Sequence, residues 1–462
     1  MNGSSAISAY FEAMQPPSRA ISAGALSDAP TVLGAGDLPS ALPVTAFAVA
    51  SISTAARALA TYVHRRFGVC PAVTVDRRLA SLWFGTTLRP QGWQMPKVRD
   101  PITGDYQAGE GWIRLHTNAP HHLAAALSVL GTGAARGDVE HAVSRWTAAE
   151  LEAAIVQAGG CAAAMRSRDE WAHHPQGRAV GTEPLFQVAD GSKGTIKVPD
   201  ATLERPLAGI KVLDLTRVLA GPVSTRFLAA YGAEVLRIDP PFWTEPGMIP
   251  EVTVGKRCAL LDFRSAEQLD QIKRLMAQAD VVVHGYRADA LERLGLGTQD
   301  RQSIRPGLVD VCLNAYGWSG PWSTRRGFDS LVQMSNGIAH LGMVAYGRDK
   351  PTPLPVQALD QATGYLMAAA VLDGLTHSLD TGTGSVSRLS LARSGELLMS
   401  QATATNGAEL APESSEEWSA ETEHTYWGPA RRLKPPCHVE GIPMHWNTPA
   451  TALGSSPARW PT

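Results

Sequence analysis

The spacing of apolar positions changes character near residue 200. Before that point the apolar residues recur mainly at helical spacing. "LPVTAFAVASISTAARALATYV" (42–63) reads as a packed, Ala-rich helix. "TAAELEAAIVQAG" (147–159) reads as another, with Thr147 as N-cap, Glu150 three positions on, and Gly159 as the stop. "GWIRLHTN" (111–118) alternates and predicts a strand; "CAAAMRS" (161–167) predicts a short buried one. Residues 1–40, rich in Ser, Gly, Ala and Pro, read as irregular or partly ordered.

After a linker-like stretch, "VADGSKGTIKVPDATLERP" (188–206), short apolar runs alternate with helices. "GIKVLDLT" (209–216), "EVLRID" (234–239), "CALLDF" (258–263), "DVVVHGY" (280–286) and "LVDVCLNAYG" (308–317) predict strands. "VSTRFLAAYG" (223–232) and "SAEQLDQIKRLMAQA" (265–279) predict helices between them. Near-continuous apolar strands alternating with helices specify a doubly wound parallel α/β sheet. Ligands in such sheets sit beyond the carboxyl ends of the strands, here after Thr216, Asp239, Tyr286 and Tyr316.

The helix at 42–63 has an echo. "LPVQALDQATGYLMAAAVLDGL" (354–375) also opens on LPV and runs into Ala-rich helix. Extended segments follow both, "AVTVDRRLAS" from Ala72 and "SVSRLSLARS" from Ser385. In this ungapped pairing Asp360 falls opposite Ala48, as expected of a duplication in which one copy lost its carboxylate.

Composition narrows the function classes. The chain has 462 residues, 44% hydrophobic and 18% charged, enough for two to four domain-sized units. A formal net charge of -2 leaves no global basic footprint for nucleic acid. The five cysteines are scattered and odd in number, which argues against a disulfide framework or structural zinc and for a reducing, cytoplasmic setting. The opening residues lack the pattern of a secretory leader, and no uninterrupted apolar run reaches the roughly 18–20 residues of a membrane span.

From Leu207 the sequence resembles the family III CoA-transferases, the group that includes formyl-CoA transferase, carnitine CoA-transferase and α-methylacyl-CoA racemase. The resemblance is carried in order by "LAGIKVLDLTRVLAGPVSTRFLAAYGAEVLRIDPP", "GKRCALLDFRSAEQLDQIKRLMAQADVVVHGYRADALERLGLG", "RPGLVDVCLNAYGWSGPWSTRRGFDSLVQMSNGIA", "LDQATGYLMAAAVLDGL" and the tail around "TYWGPARRLKPP". "GDYQAGEGWIRLHTNAPHH" and the segment from "RWTAAELEAAI" to "HHPQGRA" resemble the family's small domain, which here precedes the Rossmann-like half instead of following it. The expected organisation is therefore an irregular segment (1–40), a degenerate back half that includes a smaller α+β domain (42–200), a Rossmann-like CoA-binding and catalytic domain (205–400), and a tail (425–462).

The resemblance implies an enzyme that moves CoA from an acyl-CoA to a carboxylic acid through a covalent aspartyl intermediate. It needs no permanently bound cofactor and no metal, and coenzyme A enters as substrate. Asp360 matches the family's nucleophile. Covalent catalysis splits one hard exchange into easier steps. An Asp at a helix start is also an ordinary N-cap. Asp329, in "RRGFDS", matches the residue that follows a proton-transferring His in the racemase branch. That His is Phe328 here, and a phenyl ring accepts no proton. Val218 and Leu219 match the loop at the CoA entry, Leu261 and Tyr286 positions near the adenosine, Arg293 a phosphate contact, and Arg326 a basic site near the thioester. Pro240 stands where some relatives carry a CoA-contacting basic residue. A homodimer, with no nucleic-acid or membrane partner, is expected by analogy. The alternatives are an acyl-CoA racemase or isomerase on the same fold, and a non-catalytic CoA-binding subunit. His116, His121 and His122 in "HTNAPHH" lack the partners of a metal site, and the loop "FWTEPGMIPEVTVG" (242–255) is where substrate specificity is expected.

Overall fold

The computed structural model describes residues 3–17, 29–97, 100–194, 200–401 and 408–461. Its centre is a seven-stranded sheet. Six strands are parallel: Lys211–Leu215, Glu234–Asp239, Lys256–Leu260, Val281–His284, Val309–Asn314 and Thr383–Ser390. Numbered along the chain, they lie in the spatial order 3-2-1-4-5-6, which is that of a doubly wound dinucleotide-binding sheet. The apolar runs explain the strands. Val281, Val282, Val283, Val309 and Val311 are fully buried, as expected where helices cover both faces.

The seventh strand departs from the expected linker. Gln187–Lys193 pairs antiparallel with Thr383–Ser390 and closes that edge of the sheet. Its sequence, QVADGSK, is polar because it lies at the rim and buries neither face, so apolar periodicity does not reveal it. The remainder of that stretch, 195–199, lies outside the described residues. A second correction concerns residues 1–40. Gly3–Ala13 is a helix. Ala6, Ile7, Tyr10 and Met14 recur at helical spacing and are buried, and the Tyr10 hydroxyl donates to the Leu398 carbonyl at 2.6 Å. Residues 18–28 lie outside the described residues.

A smaller α+β unit stands on the Rossmann-like body. Strands Gly104–Gln107, Trp112–Leu115 and Ala162–Ala164 form its antiparallel sheet, backed by helices Pro120–Leu130, Arg136–Val143 and Ala148–Gln157 around Ile113, Leu151 and Ile155. Thr147 caps the last of these helices, its hydroxyl accepting from Glu150 N, as the sequence predicts. The unit is tied to the body by buried charge. Glu152 accepts from Arg325 Nη2 at 2.8 Å and from Arg166 Nη2 at 2.5 Å. Glu152→Ala would leave two arginines without their carboxylate. A destabilisation of about 3–5 kcal/mol is expected, measurable by denaturant unfolding.

The two Ala-rich segments are helices of equal length, Val44–Phe67 and Ala358–Thr381, packed on each other. Val44–Phe67 is long and apolar enough to cross a membrane, but its apolar side chains are buried within the fold. Each helix ends on a left-handed glycine, Gly68 and Gly382. Each is followed by a strand and then by an N-cap whose side chain accepts from the new helix, Asp76 from Leu79 N and Ser390 from Arg393 N. Matching these caps puts Ala46, not Ala48, opposite Asp360. The LPV triplets mislead by two positions because the first helix starts directly after Pro43, whereas Gln357 occupies the N-cap of the second.

The Ala358–Thr381 helix is buried along nearly its whole length because small residues let neighbours approach. A Cβ at Gly364 would lie 2.5 Å from the Ala220 carbonyl oxygen and 2.8 Å from Val223 Cβ. Gly364→Ala is therefore expected to cost about 1–3 kcal/mol by thermal unfolding and to slow turnover by displacing the turn that carries Asp360.

Candidate active site

A cleft of about 440 Å³ opens beyond the carboxyl ends of the central strands, between Leu215 and Thr216 on one side and Gly285, Leu313 and Asn314 on the other. This is the point where the strand order reverses, where open α/β sheets hold their ligands. Asp360 lines it. A second cavity of about 290 Å³ lies between the body and the small unit, against Thr103, His116, Asn118 and the 244–248 loop, and Asp360 lines that one too. Four residues are common to both cavities: Val218, Trp243, Phe328 and Asp360.

Asp360 stands in the first turn of its helix but does not cap it. Asp329 does so from a different helix, Asp329–Ser335: its Oδ2 accepts from Leu359 N and Asp360 N, both at 2.9 Å. Gln333 completes the frame. Its amide donates to Asp329 Oδ1, and its Oε1 accepts from Leu354 N at 2.8 Å. The two carboxylates are 1% and 6% exposed for Asp329 and Asp360. Burial pushes both upward in pKa. Asp329 rises to about 6, held back by the N–H groups aimed at it, while Asp360 rises well above the usual range because the Asp329 charge adds to burial. Of the two, Asp360 is the more strongly raised, so Asp329 is the carboxyl that ionises more readily.

Val218 has φ +65°, a left-handed conformation that a β-branched residue adopts only under strain. Its N–H donates to Glu245 at 2.7 Å, and Glu245 pairs with the fully buried Arg237 at 2.6 Å. The strained residue is thereby pinned where the two cavities meet.

Of the residues singled out in the sequence, Asp360, Val218, Tyr286 and Arg326 line the larger cleft, and Asp329 lines the smaller cavity. Leu219 is buried at the N-cap of the Ala220–Ala230 helix. Leu261 is a core residue packed with Ala259 and Ile272. The structure does not bring Arg293 to the cleft: its side chain is 72% exposed and pairs with Asp289 one turn away. Other residues emerge instead. Arg217, Arg287 and Arg325 line the cleft, and Arg217 and Arg287 each closely follow a strand end, a position that marks them in sequence. His121 and His122 line the cleft and His116 the smaller cavity. Burial holds His122 neutral, with its pKa pushed down to about 3. His116 stacks on Phe328 with ring centroids 3.8 Å apart.

Fold and site together define a doubly wound α/β protein with a buried carboxylate pair at its switch-point cleft. Residues 207–431, just under half of the chain, match the family model "CoA-transferase family III". It is 33% identical over 208 residues to "Probable fatty acyl-CoA transferase Rv3272" of Mycobacterium tuberculosis, covering 42% of this chain and 52% of that protein. To the human "Succinyl-CoA:glutarate CoA-transferase" it is 34% identical over 193 residues, 39% of this chain and 44% of the relative. The crystal structure of Rv3272 in an orthorhombic form aligns at 32% identity and a TM-score of 0.39, covering 42% of this chain and 55% of that one. The chain thus spans about half the length of these relatives.

Proposed function

We propose that this protein transfers CoA from an acyl-CoA thioester to a carboxylic acid, with Asp360 as nucleophile. The observation that carries the reading is the place of Asp360, a buried carboxylate shared by an arginine-lined cleft and a separate smaller cavity. CoA, with its phosphates, suits the cleft lined by Arg217, Arg287, Arg325 and Arg326. The acyl group suits the smaller cavity, whose mixed lining of Thr103, His116, Asn118, Met248 and Phe328 favours a short chain with a polar end. Asp360 first gives up to solvent the proton that burial and Asp329 favour on it; its carboxylate then attacks the thioester carbonyl, the C–S bond breaks, and CoA leaves as thiolate. The thiolate then attacks the aspartyl carbonyl of the mixed anhydride, and the original acid departs as carboxylate. The incoming carboxylate attacks the aspartyl thioester and expels the thiolate, forming a second mixed anhydride; the thiolate attacks its acyl carbonyl, and Asp360 leaves as carboxylate as the new acyl-CoA forms.

Coenzyme A is a substrate in this scheme, and no metal or resident cofactor takes part. Relatives named as a probable fatty acyl-CoA transferase and a succinyl-CoA:glutarate CoA-transferase support the reaction class. A soluble cytoplasmic homodimer accords with the same reading.

A second reading, acyl-CoA racemisation, draws on one feature. His116 places an imidazole beside Phe328, in the cavity that also contains Asp329. The experiment that separates the two incubates the protein with a panel of acyl-CoAs in deuterated water. Hydroxylamine is then added and the peptide bearing Asp360 is examined by mass spectrometry. Transfer gives a modified Asp360 without α-deuterium in the acyl group. Racemisation gives α-deuterium without the adduct. A third outcome, tight CoA binding with neither, identifies a binding subunit and overturns both.

A further inference from the structure

We propose that the Trp243 indole N–H donates a hydrogen bond to the thioester carbonyl oxygen while Asp360 attacks, stabilising the oxyanion of the first step. The inference rests on the transferase reading and assigns a catalytic residue to the loop at 242–255.

Asp360 must meet the scissile carbonyl where CoA and acyl cavities join. Among the described residues, only Val218, Trp243, Phe328 and Asp360 line both. Val218 and Phe328 carry no side-chain donor. The backbone donors of Leu359, Asp360 and Val218 are committed: Leu359 N and Asp360 N to Asp329, and Val218 N to Glu245. Trp243 Nε1 is buried with no acceptor. Buried N–H groups are nearly always paired, and leaving one unpaired costs free energy. A substrate oxygen arriving at the junction would satisfy it. The indole is held in place for this task. The Arg217 guanidinium lies 4.9 Å from its ring centroid, His121 lies 6.4 Å away on a tilted plane, and Arg217 donates in turn to the Tyr286 hydroxyl at 2.9 Å.

The chemistry balances without any further reactant. Asp360, its proton already lost to solvent, forms a bond from a carboxylate oxygen to the carbonyl carbon, and the C=O π pair moves to oxygen. That oxyanion accepts from Trp243. When the C=O bond re-forms, the C–S pair leaves with sulfur as CoA thiolate, and Trp243 keeps its proton throughout. The donor therefore acts on the transition state and is of little use to free CoA.

Two variants and two readouts test this. Trp243→Phe keeps an aromatic ring and loses the N–H; Trp243→His restores a ring donor. Single-turnover acylation of Asp360, trapped with hydroxylamine, is expected to slow on the order of 100-fold in Trp243→Phe and to recover in part in Trp243→His, with CoA affinity within about threefold of the parent in both. Infrared spectra of a bound ketone analogue of acyl-CoA, methylene replacing sulfur, should show the carbonyl stretch lowered in the parent and returned toward its free position in Trp243→Phe. An unchanged acylation rate in Trp243→Phe overturns the inference alone. Equal losses of acylation and CoA affinity also overturn it, because Trp243 would then be a wall of the CoA site. A parent protein that forms no adduct with any acyl-CoA overturns the transferase reading and this inference with it.

Discussion

Asp360→Asn is expected to lose CoA-transferase turnover on the order of 10⁴-fold or more, to form no trapped adduct, and to bind CoA about as well as the parent. Asn matches Asp in shape but cannot be acylated by a thioester at a useful rate. The same substitution is expected to stabilise the fold at alkaline pH. The Asp360 carboxyl is raised in pKa by burial and by Asp329. In the unfolded chain it would ionise in the ordinary carboxylate range, so above that range ionisation favours unfolding. Its contribution to stability is complete below the unfolded value and is lost as pH rises toward the folded one. Asn carries no such penalty. Calorimetry should therefore show the variant melting above the parent at pH 8, with the gap closing by pH 4. Equal melting temperatures across that range would mean that Asp360 is not held protonated in the free protein.

Asp329 supplies the second large effect, in two separable parts. Asp329→Asn keeps an oxygen for Leu359 N and Asp360 N and removes the charge. With the like charge gone, Asp360 ionises more readily, and the acid limb of kcat/KM should move to lower pH by about one unit or more. Asp329→Ala also removes the acceptor. It leaves two helix N–H groups and the Gln333 amide without their partner, an expected loss of about 1–3 kcal/mol in denaturant unfolding together with slower turnover. A pH profile that does not move in Asp329→Asn would show that the two carboxylates do not communicate.

How far the site was legible from sequence follows from where its parts lie. Alternating strands and helices predicted the Rossmann-like sheet, because strands covered on both faces leave continuous apolar runs such as VVVH. The polar edge strand Gln187–Lys193 left no such run and read as linker. The Gly3–Ala13 helix was masked by its Ser and Gly content, although four apolar positions at helical spacing were present. Asp360 was legible through family resemblance and through its place at a helix start, but its capping role was assigned to the wrong carboxylate. A side chain that caps a helix from 31 residues away leaves no local pattern. The small-unit contribution was hidden for the same reason: "HTN" at 116–118 approaches Phe328 and Asp329 only after folding. Arg293 shows the converse, a matched position whose exposed side chain pairs with Asp289 and does not reach the cleft.

The strand Gln187–Lys193 has a consequence for what counts as a domain here. The family match begins at residue 207, yet the first half supplies the rim of the sheet and the helix that lies against Ala358–Thr381. A fragment starting at 207 would carry Asp360 and most of the cleft. It would also leave Thr383–Ser390 as an open edge, a template for pairing with other chains, and would strip the cover from the Ala358–Thr381 helix. The boundary of recognisable ancestry and the boundary of independent folding therefore do not coincide. The two halves pack as one unit, in which the first segment covers the helix that carries Asp360 and closes one edge of its sheet.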